Sequence, residues 1–298
     1  MSTPLRPPLF DRRRLQYSFG RAAGGYAEVA VLQRESESRL LEQLDVLDAR
    51  QPARILDVGS GPGRASGVMK GRWPKAEVIA LDIALPMLHQ VRKHSHFWRP
   101  IRRVCGEAAH LPIADNSIDV IFSNLCLQWV PDLPGVLAEF RRVLREDGLL
   151  LFSTFGPDTL VELREAYVAA GERQPPLSPF AAIQQIGDAL IAAGLRNPVL
   201  DRDLFTLTYP EVMPLLRELR AIGAGDARVQ RPRGLGGKSR QARMITAYES
   251  QRRDDGRLPS SWEVITAMAW APAAGTPRRE GRLDVASFPA DRIPRRSR

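Results

Sequence analysis

The sequence predicts an α/β fold, a mostly parallel seven-stranded sheet with helices on both faces. Three observations carry this. Short apolar runs alternate with segments of helical period between Arg54 and Thr154, the pattern of βαβ units. A glycine-rich turn, Gly59-Ser-Gly-Pro-Gly63, directly follows the first run. Asp57 and Asp82 stand at or next to the ends of the first two runs, where open α/β sheets bind their ligands.

The elements follow in order. Residues 1–9 are Pro-rich. Phe10–Gly25 has basic and apolar residues at helical spacing, and Tyr26–Leu47 continues as an amphipathic helix. Its stripe is Val29, Leu32, Ser36, Leu40, Leu44 and Leu47. Strands are expected at Arg54–Val58, Glu77–Asp82, Ile101–Gly106, Ile118–Ser123 and Gly148–Thr154. Helices are expected at Gly63–Arg72, Pro86–His94 and Leu133–Leu144. Beyond Pro157 the pattern loosens. Helices are read at Thr159–Ala170, Ala181–Ala193, Val212–Ile222 and Ser239–Gln251, with strands at Val199–Tyr209 and Trp262–Trp270. Gly223–Lys238 reads as a Gly- and Arg-rich loop, and Pro272–Arg298 as a basic tail without periodicity. The domain reading is an N-terminal helical lid over 1–48 and a catalytic domain over 49–271. That domain carries lid insertions at about 157–194 and 210–251, and the tail follows at 272–298.

Composition narrows the function. No run of 18 apolar residues exists, so no membrane span is expected. Met1–Phe19 lacks the apolar core of a signal peptide, and a cytoplasmic location is expected. Cys105 and Cys126 form no CxxC pair and sit in apolar stretches. Both are read as small buried residues, and no metal site is expected. The net charge of +9 and pI near 10.2 point to an acidic partner. Nucleic acid and an acidic carrier protein are both candidates, and an Arg-rich composition alone also accounts for the charge. The basic stretches are read as lacking the interleaved aromatics of a nucleic-acid binder, so no nucleic acid is expected.

The turn after the first strand selects the chemistry. Glycine allows positive φ and close approach of backbone to ligand, and the helix that follows offers free N–H groups. A dinucleotide site prefers G-x-G-x-x-G. Gly59, Gly61 and Gly63 instead form G-x-G-x-G, and the acidic Asp57 leads them. A carboxylate would repel a pyrophosphate but attract the ammonium of S-adenosylmethionine. Asp82, 25 residues on, can accept both ribose hydroxyls; capping the next helix is the plainer role. Glu107 can accept from an adenine amino group while the Ala108 N–H donates to the ring. Asn124, Gln128 and Trp129 follow the fourth strand and would line the cleft; Trp129 also suits simple packing.

Residues 53–154 therefore resemble a Rossmann-like class I methyltransferase, with four motifs in order. The flanks narrow the likeness. Phe19-Gly-Arg-Ala-Ala-Gly-Gly-Tyr26, Leu32-Gln-Arg-Glu35 and Ser153-Thr-Phe-Gly-Pro-Asp-Thr-Leu160 resemble the malonyl-acyl-carrier-protein O-methyltransferases of biotin synthesis. So do Thr206-Leu-Thr-Tyr209, Leu219-Arg-Ala-Ile-Gly-Ala224 and Gly256-Arg-Leu-Pro-Ser-Ser-Trp262. Ser60 stands where many relatives have Cys. Gln174–Phe180 departs from many bacterial members and looks like a mitochondrial complex I assembly protein that hydroxylates a partner's arginine. That reading and an RNA methyltransferase are the alternatives.

The resemblance implies methyl transfer from S-adenosylmethionine to the free carboxylate of malonyl-acyl carrier protein, an acidic partner, by a monomeric enzyme. It extends the expected cofactor contacts to Gln33, Ile83 and Met87. Tyr26 and Arg220, with Gln128 and Trp129, are the candidates for the reacting site. Tyr26 offers one hydrogen bond, and Arg217 or Arg220 a fork. Arg217, Arg220, Arg228, Arg231 and Arg233 are the arginines expected to meet the carrier.

Overall fold

The computed structural model describes residues 11–26, 30–47, 49–172, 175, 177–222, 237–273, 278–280 and 283–285. Two helices, α1 (Arg12–Ala22) and α2 (Val31–Glu42), precede the sheet. Asp11 caps α1 by accepting the N–H groups of Arg13 and Arg14. Strands β1 (Arg54–Val58), β2 (Glu77–Asp82), β3 (Arg102–Cys105), β4 (Ile118–Ser123) and β5 (Leu144–Phe155) alternate with α3 (Arg64–Arg72), α4 (Leu85–Gln90) and α5 (Leu133–Val143). Then come α6 (Val161–Ala169), α7 (Ile183–Ala192), β6 (Arg196–Tyr209), α8 (Val212–Ala221), α9 (Gly237–Glu249) and β7 (Leu258–Trp270).

The strand order is β3-β2-β1-β4-β5-β7-β6, with β7 alone antiparallel to its neighbours. This is the predicted mostly parallel seven-stranded sheet. Successive residues of a strand face opposite sides, and the core divides accordingly. Leu56, Val58, Leu81, Ile121 and Phe152 pack with α5 and α7. Ile55, Val78, Ala80, Phe122 and Leu151 pack with α2, α3 and α4. A third core joins α6, α8 and α9 to Phe155, Trp262 and Val264.

Three expectations are corrected. Strand β5 starts at Leu144, not Gly148, because Leu144 already pairs with Ile118 before the register breaks and resumes at Leu149 with Val120. Strand β7 starts at Leu258, ahead of the expected Trp262. Its first residues pair only with β6, so Pro259 lies on a one-sided extension where a missing N–H is harmless. The tail is not wholly irregular: Arg278–Glu280 (β8) and Leu283–Val285 (β9) form an antiparallel pair. Three residues per strand are too few for a period of two to show in sequence. The Gly223–Lys238 loop lies outside the described residues as far as position 236.

Both cysteine readings also change. Cys105 is exposed and Cys126 half-buried. Strand β3 is the sheet edge and its residues are largely uncovered, so an apolar-looking run there is not a buried one.

Candidate active site

The turn Gly59–Gly63 sits at the C-terminal end of β1, and β2 holds its shape. The N–H groups of Gly59 and Ser60 donate to the Leu81 carbonyl at 2.8 and 3.0 Å. The Gly61 N–H donates to Asp82 Oδ2 at 2.9 Å, and the Ala84 N–H to Asp82 Oδ1 at 2.8 Å. Gly61 has φ of +52°, and a Cβ there would meet nothing within 4 Å. The space it would enter is a two-part cleft, since Gly61 lines both halves. Gly63 lies behind the turn as the N-cap of α3 at φ +89°, where a Cβ would stand 2.8 Å from Val91.

One half, about 360 Å³, is the more polar of the two, lined by the carboxyls of Asp57 and Glu37 and by Arg34, Arg64 and Lys93. Asp57 lies on the face of β1 turned to α3, buried, and accepts the Ser66 hydroxyl at 2.5 Å. Burial pushes its carboxyl up to about 7; the Ser66 bond opposes the shift, and the Glu37 and Asp82 carboxylates add to it. Glu37 of α2 lines the same space, is itself raised by burial, and is bonded by Arg64 at the start of α3. Ser60 Oγ is buried against this half and has no partner among the described residues. Buried hydroxyls are normally satisfied, so an absent acceptor is implied.

The other half, about 510 Å³, is mostly apolar. Ile83, Met87, Ala108 and Trp129 line it, with Asp11, Asp82 and Glu107 as its carboxylates. Helix α1 roofs it through Leu15 and Phe19. Gln16 donates to the Ile83 carbonyl at 3.1 Å, Phe19 meets Trp129 edge to face at 5.7 Å, and Arg12 pairs with Glu107.

Tyr26 and Asn124 line both halves. Burial, then the Asp82 carboxylate, pushes the Tyr26 phenol far up, so it stays a neutral donor. Asn124 ties α2 to the sheet. Its amide donates to the Gln33 carbonyl at 3.0 Å, and its oxygen accepts Ser36 at 2.9 Å and Ser153 at 2.7 Å. Gln33 itself lines the more polar half.

Most of the expected residues thus converge on one cleft, but not all. Arg220 is exposed on α8, lines neither half, and faces outward from a helix whose inner side packs in the third core. Arg217 is likewise exposed, and Arg228, Arg231 and Arg233 lie outside the described residues. Gln128 is buried beneath the cleft. Its amide donates to the Leu125 carbonyl at 2.6 Å, fixing the turn after β4, and it is absent from both linings. Glu37, Arg64, Arg12 and Leu15 line the cleft without having been foreseen. Each reads locally as an ordinary helix residue: the packing of α1 and α2 over the strand ends brings in Arg12, Leu15 and Glu37, while Arg64 opens α3 directly after the glycine turn and bonds Glu37. Of the divergent segment Gln174–Phe180, Leu177 and Phe180 pack in the third core; Gln174 and Pro176 lie outside the described residues.

Comparison with known proteins agrees with this architecture. Residues 56–152 match the family model described as a methyltransferase domain. A malonyl-acyl-carrier-protein O-methyltransferase of Xylella fastidiosa is 56% identical over 97% of this chain and 98% of its own length. A protein of the same name from Gallionella capsiferriformans is 43% identical over 94% of this chain and 98% of its own. Among solved structures, the YcgJ protein of Bacillus subtilis aligns with a TM-score of 0.56 at 19% identity, covering 79% of this chain and 99% of that one. A SAM-dependent methyltransferase of Thermotoga maritima aligns with a TM-score of 0.51 at 16% identity, over 86% and 99%. Both likenesses concern the fold. No helix among the described residues is long and apolar enough to cross a membrane.

Proposed function

This chain belongs to the malonyl-acyl-carrier-protein O-methyltransferases, and from that premise we propose that it methylates the free carboxylate of malonyl-acyl carrier protein with S-adenosylmethionine. The ester so formed would enter fatty-acid synthesis toward the pimeloyl part of biotin. One observation carries the reading: a charged half-cleft holding the Asp57 and Glu37 carboxyls and an apolar half-cleft meet over a single glycine turn.

The residues present fit the cofactor. Asp57 and Glu37 suit its ammonium, and the unpartnered Ser60 hydroxyl suits its carboxylate. Both Asp82 oxygens accept backbone N–H groups but keep lone pairs for ribose hydroxyls. The apolar half would take the adenine between Ile83, Met87 and Ala108, with Glu107 at its edge.

Bound there, the cofactor supplies an activated methyl group. The chain's own task is to align and to exclude water. A malonyl carboxylate is already ionised at neutral pH, so no general base is required. Tyr26, a neutral phenol where the two halves meet, can donate to that carboxylate and orient one oxygen. Helix α1 and Trp129 close the apolar side and shield the site from solvent. Neutralisation of opposite charges as the methyl moves favours such a dry setting.

The test is incubation with malonyl carrier protein and methyl-labelled cofactor. Label should appear on the carrier as a base-labile ester. Label on RNA but not on the carrier would overturn the reading.

A further inference from the structure

The most exposed large apolar side chains lie away from the cleft. Phe97 and Trp98 are 87% and 88% exposed, the highest values among the large apolar side chains of the described residues. They pack edge to face, ring centroids 5.1 Å apart, at the tip of a turn. The turn is closed by the Arg99 N–H donating to the His96 carbonyl at 3.0 Å, so the pair is presented rather than merely left uncovered.

The segment that carries the pair is basic. Between Ile83 and Gly106 there are five Lys or Arg, three of the chain's four His, and no Asp or Glu. Arg92, Lys93, Arg99, Arg102 and Arg103 are all exposed. Arg102 pairs with Glu77, whereas no ion pair to a described residue is seen for Arg92, Lys93, Arg99 or Arg103. Phe97 and Trp98 lie between Lys93 and Arg99, so here aromatics do interleave with basic residues, against the expectation for the basic stretches. Water-exposed aromatic pairs are costly to leave uncovered, and aromatics with arginine are the usual anchors of protein interfaces.

We propose that the Phe97–Trp98 turn and the basic residues about it form the docking face for the acidic carrier protein, a proposal that rests on the substrate reading above. Charge complementarity selects an acidic partner. Continuity with the cleft selects the one that delivers substrate: Lys93 and His94, just before the turn, line the charged half. A carrier seated here would lie beside that opening, its thioester arm free to reach inward. The interface would then involve the edge of the sheet at β3 instead of the arginines of α8.

The test uses the full chain with F97S/W98S and R99E/R103E. All four residues are exposed and line neither half-cleft, so melting and S-adenosylhomocysteine binding should match wild type. Calorimetric binding of purified malonyl carrier protein should weaken about tenfold or more in each. KM for the carrier should rise while turnover at saturation holds. Added salt should weaken wild type much more than R99E/R103E. Carrier binding at wild-type strength in both variants would overturn the proposal. So would binding of single-stranded RNA or phosphatidylglycerol vesicles that the variants lose while carrier turnover is kept. Because binding is read without methylation, a wild-type protein that binds carrier but transfers no methyl group would sink the reaction and leave the docking face standing.

Discussion

Asp82 Oδ2 accepts the N–H of Gly61 at 2.9 Å, so the end of β2 shapes the turn at the end of β1. Two segments far apart in sequence thereby make one cradle. Under the proposed cofactor reading, an acceptor at position 82 would do more than meet a ligand; it also holds the backbone on which that ligand would rest.

Gly61→Val is expected to fold and fail to bind. A Cβ at Gly61 meets no protein atom within 4 Å, so the side chain enters the cleft. The positive φ costs on the order of 1 kcal/mol for a residue with a Cβ, which a domain of this size should survive. Calorimetry with S-adenosylhomocysteine should show binding abolished while melting falls by a few degrees. Tight binding by the variant would mean the cofactor does not cross this turn.

Asp57 gives a pH dependence of defined sign. Burial raises the Asp57 carboxyl from 3.8 to about 7. Between those values the folded state keeps a proton that the unfolded chain releases, so this group's stabilising effect is lost as pH rises through that window. The free protein should melt lower at pH 7.5 than at pH 5 by more than Asp57→Asn does. Cofactor binding runs the other way, because an ammonium favours the ionised carboxylate. Affinity for S-adenosylhomocysteine should improve with pH up to about 7, by at most roughly tenfold per unit, with proton release visible across buffers. A flat profile in wild type would remove Asp57 from ammonium recognition.

Legibility in sequence followed locality. Strands Arg54–Val58, Glu77–Asp82 and Ile118–Ser123 agree with their expected bounds because each is short, apolar and buried on both faces. The glycine turn, Asp57 and Asp82 were legible because backbone geometry demands glycine there. Glu37 was not: on its own helix it is a charge among charges, and only the Ser36–Asn124 bond shows which way α2 is turned. The position of Arg220 outside the cleft was not legible for the converse reason, since helical spacing says which residues share a face but not which face meets the cleft.

Asn124→Ala should loosen α2 without touching the sheet core. The side chain accepts two hydroxyls and donates to one carbonyl. Leaving these partners unsatisfied should cost about 1–3 kcal/mol. Hydrogen exchange should rise through Val31–Glu42 before it rises in β1 or β4. Uniform change across the protein, or none, would show that the bond network does not hold the helix.

The last prediction concerns recognition of the malonyl carboxylate. Acetyl and malonyl thioesters differ by that one ionised group, and an apolar pocket separates such a pair poorly. A donor in the cleft separates them well, because the wrong substrate leaves it unpaired. Tyr26 lines both halves and remains protonated through the physiological range. Tyr26→Phe keeps the ring against Ala84 and Met87 in the small core beside α1 and removes only the hydroxyl. The methylation rate should fall roughly tenfold or more, in line with loss of a hydrogen bond to a charge worth about 1.5–3 kcal/mol. Affinity for S-adenosylhomocysteine should stay within about twofold, since the ring still packs the junction. Arg220→Ala, exposed and outside the cleft, should turn over malonyl carrier protein close to the wild-type rate. If the Tyr26 variant does the same while Arg220→Ala collapses, the carboxylate is held from the α8 side, and the cleft must close further than this structure shows for that arginine to reach it.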